Sequence, residues 1–222
     1  MTIRKIPFVV GEYYHIYNRG VDKRTIFIDP YDYKRFMVLL YICNSRKSVN
    51  IRALLNKGLS FVEIFDIDRE ETLVDIGVYC LMPNHFHILI KEKLDGGISM
   101  FMEKLATAYV MYFNTKNERK GALFEGSFKA KHIDNDAYLN WVFSYIHINP
   151  IKLNEPNWKE SGISNPTIVK DFVEKYAYSS YYDYFLGNRS ENVILNKIVF
   201  SDYFSHLDDL SGLIQEFREG NY

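Results

Sequence analysis

Cysteine is scarce in this chain: Cys43 and Cys80 are the only two, and both lie in apolar runs. That excludes a disulfide framework and a cysteine-built zinc site, and leaves both as reduced core residues. No apolar run approaches the roughly 18 residues that a membrane-spanning helix needs. The amino terminus also lacks the charged-then-apolar pattern of a signal peptide, so the expected location is the cytoplasm, with no membrane partner. Net charge is nearly absent too, with 27 Lys and Arg against 28 Asp and Glu. The balance is uneven along the chain. Residues 1–154 carry 21 basic against 17 acidic side chains, and 155–222 carry 6 against 11. An acidic tail therefore conceals a basic excess that permits an anionic partner.

What is present describes a globular protein of 222 residues, long enough for one sizeable domain and an appended segment. Aromatic and β-branched residues at 13–18 read as a strand that ends at Asn18-Arg19-Gly20. Helical spacing follows over 31–45, with Pro30 where a helix can start. Residues 46–72 have no single pattern and read as an insertion, with a short helix at 51–55 and a short strand at 61–65. Two apolar strands, 73–81 and 85–90, flank the turn Met82-Pro83-Asn84 and form a hairpin. An amphipathic helix covers 98–114. Alternation over 123–133 predicts a half-exposed strand. Asp134-Asn135-Asp136 caps a helix over 137–148, which Asn149-Pro150 should stop because a residue before proline avoids helical angles. The order is that of a split βαβ, ferredoxin-like α+β fold (βαββαβ, antiparallel sheet) with one added helix and a C-terminal extension. The expected division is a domain at 1–154 and the extension at 155–222, which is expected to pack on the main domain as its own satellite.

His85 and His87 share one face of their strand, while Phe86 between them points into the core. Neutral imidazoles suit Mn²⁺ or a similar ion, with coordination positions left for phosphate oxygens. Tyr145 and Asn149 lie one turn apart on a helix face. The Asn149 amide oxygen is a hard metal ligand, although an asparagine at a helix end is as readily a cap. A phenol is a poor nucleophile at neutral pH, so Tyr145 needs charge neutralisation at the phosphate. His147 points off that face and reads as structural. His15 lies beside the histidine pair if the two strands are neighbours. Arg19, Lys23 and Arg24 after the first strand, with Lys129 and Lys131 on the last, are candidate phosphate contacts. Tyr13, Tyr17 and Phe124 are candidate base-stacking platforms.

Four stretches, in order, resemble the single-tyrosine HUH transposases of insertion-sequence type, and most closely the REP-associated tyrosine transposases. They are Tyr14-His15-Ile16-Tyr17-Asn18-Arg19-Gly20, Met82-Pro83-Asn84-His85-Phe86-His87-Ile88-Leu89-Ile90, Gly121-Ala122-Leu123-Phe124-Glu125-Gly126-Ser127-Phe128 and Tyr145-Ile146-His147-Ile148-Asn149-Pro150. Tyr178-Ser179-Ser180-Tyr181 fits an aromatic-serine element that such relatives carry later. The resemblance implies a transposase that cleaves and rejoins single-stranded DNA, often at hairpin-forming ends. Tyr145 would form a 5′-phosphotyrosine and free a 3′-hydroxyl; His85, His87 and Asn149 would bind Mg²⁺ or Mn²⁺. Many insertion-sequence enzymes have glutamine where this chain has Asn149-Pro150, which favours the REP-associated branch. Members work as homodimers exchanging helices or as monomers in cis, so quaternary structure stays open. The competing readings are a domesticated nucleic-acid-binding module without cleavage activity and a hydrolytic nuclease that uses water.

Overall fold

The structure, a computed structural model, describes residues 7–48, 50–204 and 209–220. Strand β1 (Tyr13–Arg19) leads through a 3₁₀ turn at Val21–Lys23 to α1 (Pro30–Ile42). The start of α1 is fixed by a reciprocal cap between Asp29 and Asp32, with Pro30 in the first turn. Helices α2 (Ile51–Asn56) and α3 (Phe61–Ile64) precede β2 (Val74–Met82) and β3 (His85–Glu92). Next come α4 (Gly97–Lys116), β4 (Lys129–Ile133) and α5 (Asp136–Ile148), the last capped by the Asn135 side chain on the Tyr138 N–H. Beyond α5 lie α6 (Ile151–Asn154), α7 (Trp158–Ser161), α8 (Pro166–Lys175), α9 (Tyr181–Phe185), α10 (Lys197–Phe204) and α11 (Leu210–Glu219).

The strands form one antiparallel sheet in the order β2-β3-β1-β4. This is the ferredoxin-like order that the sequence predicts. Alternation along the strands sorts their residues into two cores. Tyr14, Ile16, Tyr79, Phe86 and Ile88 pack with α1 and α4 on one face. Val78, Cys80, Leu89 and Ile133 pack with α5 and the later helices on the other.

That second face decides where the site lies. Two crossover helices cover only one side of such a sheet, and here α5 crosses the remaining side. Described residues beyond 154 close the rest: Val173, Tyr181, Phe200 and Leu213 are buried in the same cluster as α5. The segment is also pinned to β2. Leu81 N–H donates to Tyr178 O (2.9 Å), Ser180 N–H donates to Tyr79 O (3.0 Å), and Arg189, held by the buried Asp183 carboxylate at 2.8 Å, donates to the Tyr79 hydroxyl at 3.1 Å. Gly77 permits the close approach of α10, since a Cβ there would lie 2.7 Å from the Phe200 ring.

Three local expectations are corrected. The stretch expected as a strand at 61–65 is instead the helix α3, Phe61–Ile64, because Ser60 and Glu63 form a capping box, and Ile64 and Phe65 then enter the first core. The alternating stretch 123–133 is a strand only over Lys129–Ile133. Gly126 bends the chain at φ +86°, and Phe124 makes only an isolated bridge to Gly20. Finally, Asn149 keeps helical angles (φ −52°, ψ −38°) and Pro150 does the same, so the path continues into α6. Helix α5 loses its hydrogen-bond ladder there, because proline has no N–H, but the chain does not turn away.

Candidate active site

The β1–β3 register sets the histidines. Tyr17 faces His87 and Arg19 faces His85 across the strands, which puts His15, His85 and His87 on the α5 side of the sheet. Phe86 faces the other way, 2% exposed, with its ring 5.1 Å from that of Phe36. His85 Nδ1–H donates to Asn84 Oδ1 at 2.6 Å, which leaves its Nε2 lone pair available. His87 Nδ1 lies 2.8 Å from His15 Nε2. All three imidazoles are held neutral. Burial, then the Lys131 charge, pushes His15 down to about 4. Burial with Lys152 and Arg19 pushes His85 down to about 4. Burial, then His15, His85 and Lys159, holds His87 well below the usual range.

Tyr145 reaches this group from α5 of the same chain. Its ring centroid is 5.3 Å from that of His87 and 5.9 Å from that of His15, edge-on to both. Trp141, one turn earlier, stacks on it at 5.1 Å and 4°. Phe217 of α11 adds a second stacked ring at 6.1 Å. Burial raises the phenol's pKa, opposed by hydrogen bonding from the Asn149 side chain, so the resting group is a neutral phenol. The Asn149 Nδ2 donates to the Tyr145 carbonyl at 2.9 Å. That is the helix-end role; it uses the amide nitrogen and leaves Oδ1 as the atom that could ligate. Asn149 is not among the residues that line the cleft at the histidines.

This cleft, about 690 Å³, is lined by residues that include Tyr17, Arg19, Lys23, His85, His87 and Lys129. Arg19 is engaged there by Glu125 at 3.0 Å. Lys131 pairs with His15 across β1 and β4 and sets its ammonium 4.3 Å from the Tyr138 ring centroid. Arg24 is exposed and does not line the cleft. Of the candidate stacking platforms, Tyr17 lies at the site. Tyr13 packs 5.5 Å from Phe200, and Phe124 is 7% exposed in the opposite core, so neither offers a free face. His147 is fully buried and bonded to Ser180 Oγ at 2.9 Å, as a structural residue would be.

Among the described residues, no three His, Cys, Asp or Glu side chains are grouped to hold a metal ion. What the cleft gathers instead is two neutral imidazoles, His85 and His87, each with one nitrogen held by a neighbour; the carboxamide oxygen of Asn149, one turn from Tyr145, is the oxygen donor the sequence suggests beside them. Mixed nitrogen and hard oxygen donors of that kind suit Mn²⁺ or Mg²⁺ with positions to spare. Sequence reading did not find Lys152 and Lys159, which lie near the histidines from beyond α5. A lysine in a polar tail carries no periodic signal.

A family profile described as "Transposase IS200 like" matches residues 13–149. No curated protein matches the chain. One similar solved structure is described as "Structure of the REP associates tyrosine transposase bound to a REP hairpin". It is 12% identical over 83% of this chain and 85% of that one, with a TM-score of 0.47.

Proposed function

The chain belongs to the IS200-like transposase family, and on that basis we propose that it cleaves and rejoins single-stranded DNA through Tyr145, acting in cis. The observation that carries this reading is the edge-on approach of the Tyr145 ring to His87, at 5.3 Å, within one chain. The proposed nucleophile and metal ligands all lie within 1–154, and described residues of the extension close the second face of the sheet.

The Tyr145 hydroxyl attacks phosphorus. A phenolic O–P bond forms, the P–O3′ bond breaks, and the phenol's proton ends on the released 3′-oxygen. The 5′ side stays on the enzyme as a phosphotyrosine, and attack by a 3′-hydroxyl reverses the step and rejoins the strand. Such transfers depend on alignment and charge neutralisation more than on side-chain acid-base work. His85, His87 and Asn149 would hold Mg²⁺ or Mn²⁺, which when bound supplies charge neutralisation at the phosphate oxygens.

His15 serves that ligand set. A ligating His87 must offer Nε2, so its proton sits on Nδ1 and donates to His15 Nε2, the atom 2.8 Å away. A neighbour that fixes ligand tautomer and orientation in this way raises metal affinity. Arg19, Lys23 and Lys129 along the cleft bind backbone phosphates, Lys131 and Arg24 act at its margin, and Tyr17 offers a ring to a base. The substrate class is a hairpin-forming single strand.

The test is incubation of the full chain with such an oligonucleotide and Mn²⁺, with detection of a covalent protein–DNA adduct. The reading expects an adduct that is lost in Tyr145→Phe. Cleavage that survives the substitution and leaves no adduct indicates water as nucleophile. Binding without cleavage of any strand indicates a domesticated module.

A further inference from the structure

We propose that Lys159, with Lys152 beside it, binds backbone phosphate of the DNA strand at Tyr145, so that the segment beyond α5 completes the active site. The proposal rests on the functional reading above and adds residues that lie outside the matched span of 13–149.

Position is the first argument. Trp158, 2% exposed, anchors the short helix α7 in the second core, its ring 5.4 Å from Phe217. The next residue, Lys159, is thereby fixed with its ammonium 4.8 Å from the Tyr145 ring centroid and 4.6 Å from that of Phe217.

The second argument is charge. Neither lysine forms an ion pair among the described residues, although seven other lysine or arginine side chains do so with acidic partners. Lys159 acts electrostatically on His87, and Lys152 acts on His85. The two lysines also repel each other: after burial, the Lys152 charge is the next cause that lowers the pKa of Lys159, with only Glu160 opposing. Like charges gathered beside neutral imidazoles and a neutral phenol are unfavourable until an anion enters. A phosphodiester is the anion that this chemistry calls for, and a lysine on a flexible stem meets it as a point charge.

The competing role for Lys159 is a packing one, its charge lying by the rings of Tyr145, Phe217 and Trp158. Lys159→Met keeps the stem and removes the charge, and Lys159→Arg keeps the charge. Each is placed in the full-length Tyr145→Phe protein, and binding of a fluorescent single-stranded oligonucleotide is followed by anisotropy across a NaCl series, alongside thermal melting. The expected result is several-fold weaker binding for Lys159→Met at low salt. Its plot of log K against log salt should be shallower by about 0.7, the loss of one phosphate contact on a single strand. Tm should be unchanged, and arginine should restore both affinity and slope. An unaltered slope in Lys159→Met, or equal loss in both variants with a lowered Tm, overturns the proposal, as does failure of the Lys159-containing protein to bind the strand. Absence of a Tyr145 adduct bears on the nucleophile alone, because the binding series does not use cleavage.

Discussion

His15 Nε2 lies 2.8 Å from His87 Nδ1, and the pair bridges two adjacent strands beneath the Tyr145 ring. If this contact sets the ligating tautomer of His87, His15→Ala should weaken Mn²⁺ binding by about 10- to 100-fold. His15→Gln, whose side-chain oxygen can accept from Nδ1–H, should recover part of that loss. Calorimetric titration with Mn²⁺, with His85→Ala as the comparator, measures it. Equal Mn²⁺ affinity in His15→Ala and the parent would reduce His15 to a packing residue.

Acid should destabilise the protein through its buried imidazoles. His15 is pushed down to about 4 and His147 to about 3, both chiefly by burial, from an unfolded value near 6.5. Between those values the unfolded chain binds more protons than the folded one, so stability rises with pH across the window and falls as pH drops from about 6.5 toward 4. Thermal melting in metal-free buffer at several pH values reads the slope. His147→Leu, remote from the cleft, should make it shallower.

The tail should prove integral to stability. Arg189 holds the Asp183 carboxylate, which has no side-chain exposure, and also donates to Ser179 O at 2.6 Å. Arg189→Met strands a buried charge and should cost about 3–5 kcal/mol in urea unfolding. Asp183→Leu added to that variant should return part of the loss. A cost below about 1 kcal/mol would show that this ion pair contributes little to holding the tail.

Close packing of α10 on the sheet makes a narrower prediction. Gly77→Ala places a methyl group 2.7 Å from the Phe200 ring and should destabilise by about 1–3 kcal/mol. Combining it with Phe200→Leu should relieve the crowding, so that the two changes are less than additive.

Much of this architecture was legible in the sequence because each signal was local. Strand alternation separates His85 and His87 from Phe86, the Asn135 cap starts α5, and that helix carries Tyr145. Local signals also explain two misreadings. Ser60 and Glu63 spell a capping box that outweighs the β-rich run at 61–65, and Gly126 breaks an alternation that looks continuous. The His15–His87 bond was only conditionally readable, since it depends on β1 and β3 being neighbours in one register. Lys159 was not readable at all. It reaches Tyr145 because Trp158 is buried against a helix about sixty residues further on, a relationship that only tertiary packing creates.

The most direct test of the account is denaturing electrophoresis of the protein after incubation with a 3′-labelled single-stranded hairpin oligonucleotide and Mn²⁺. The account predicts a slower, labelled band for the parent protein, its absence in Tyr145→Phe, and a marked reduction in His87→Ala. An adduct of undiminished intensity in Tyr145→Phe would contradict it, because another residue would then be the nucleophile.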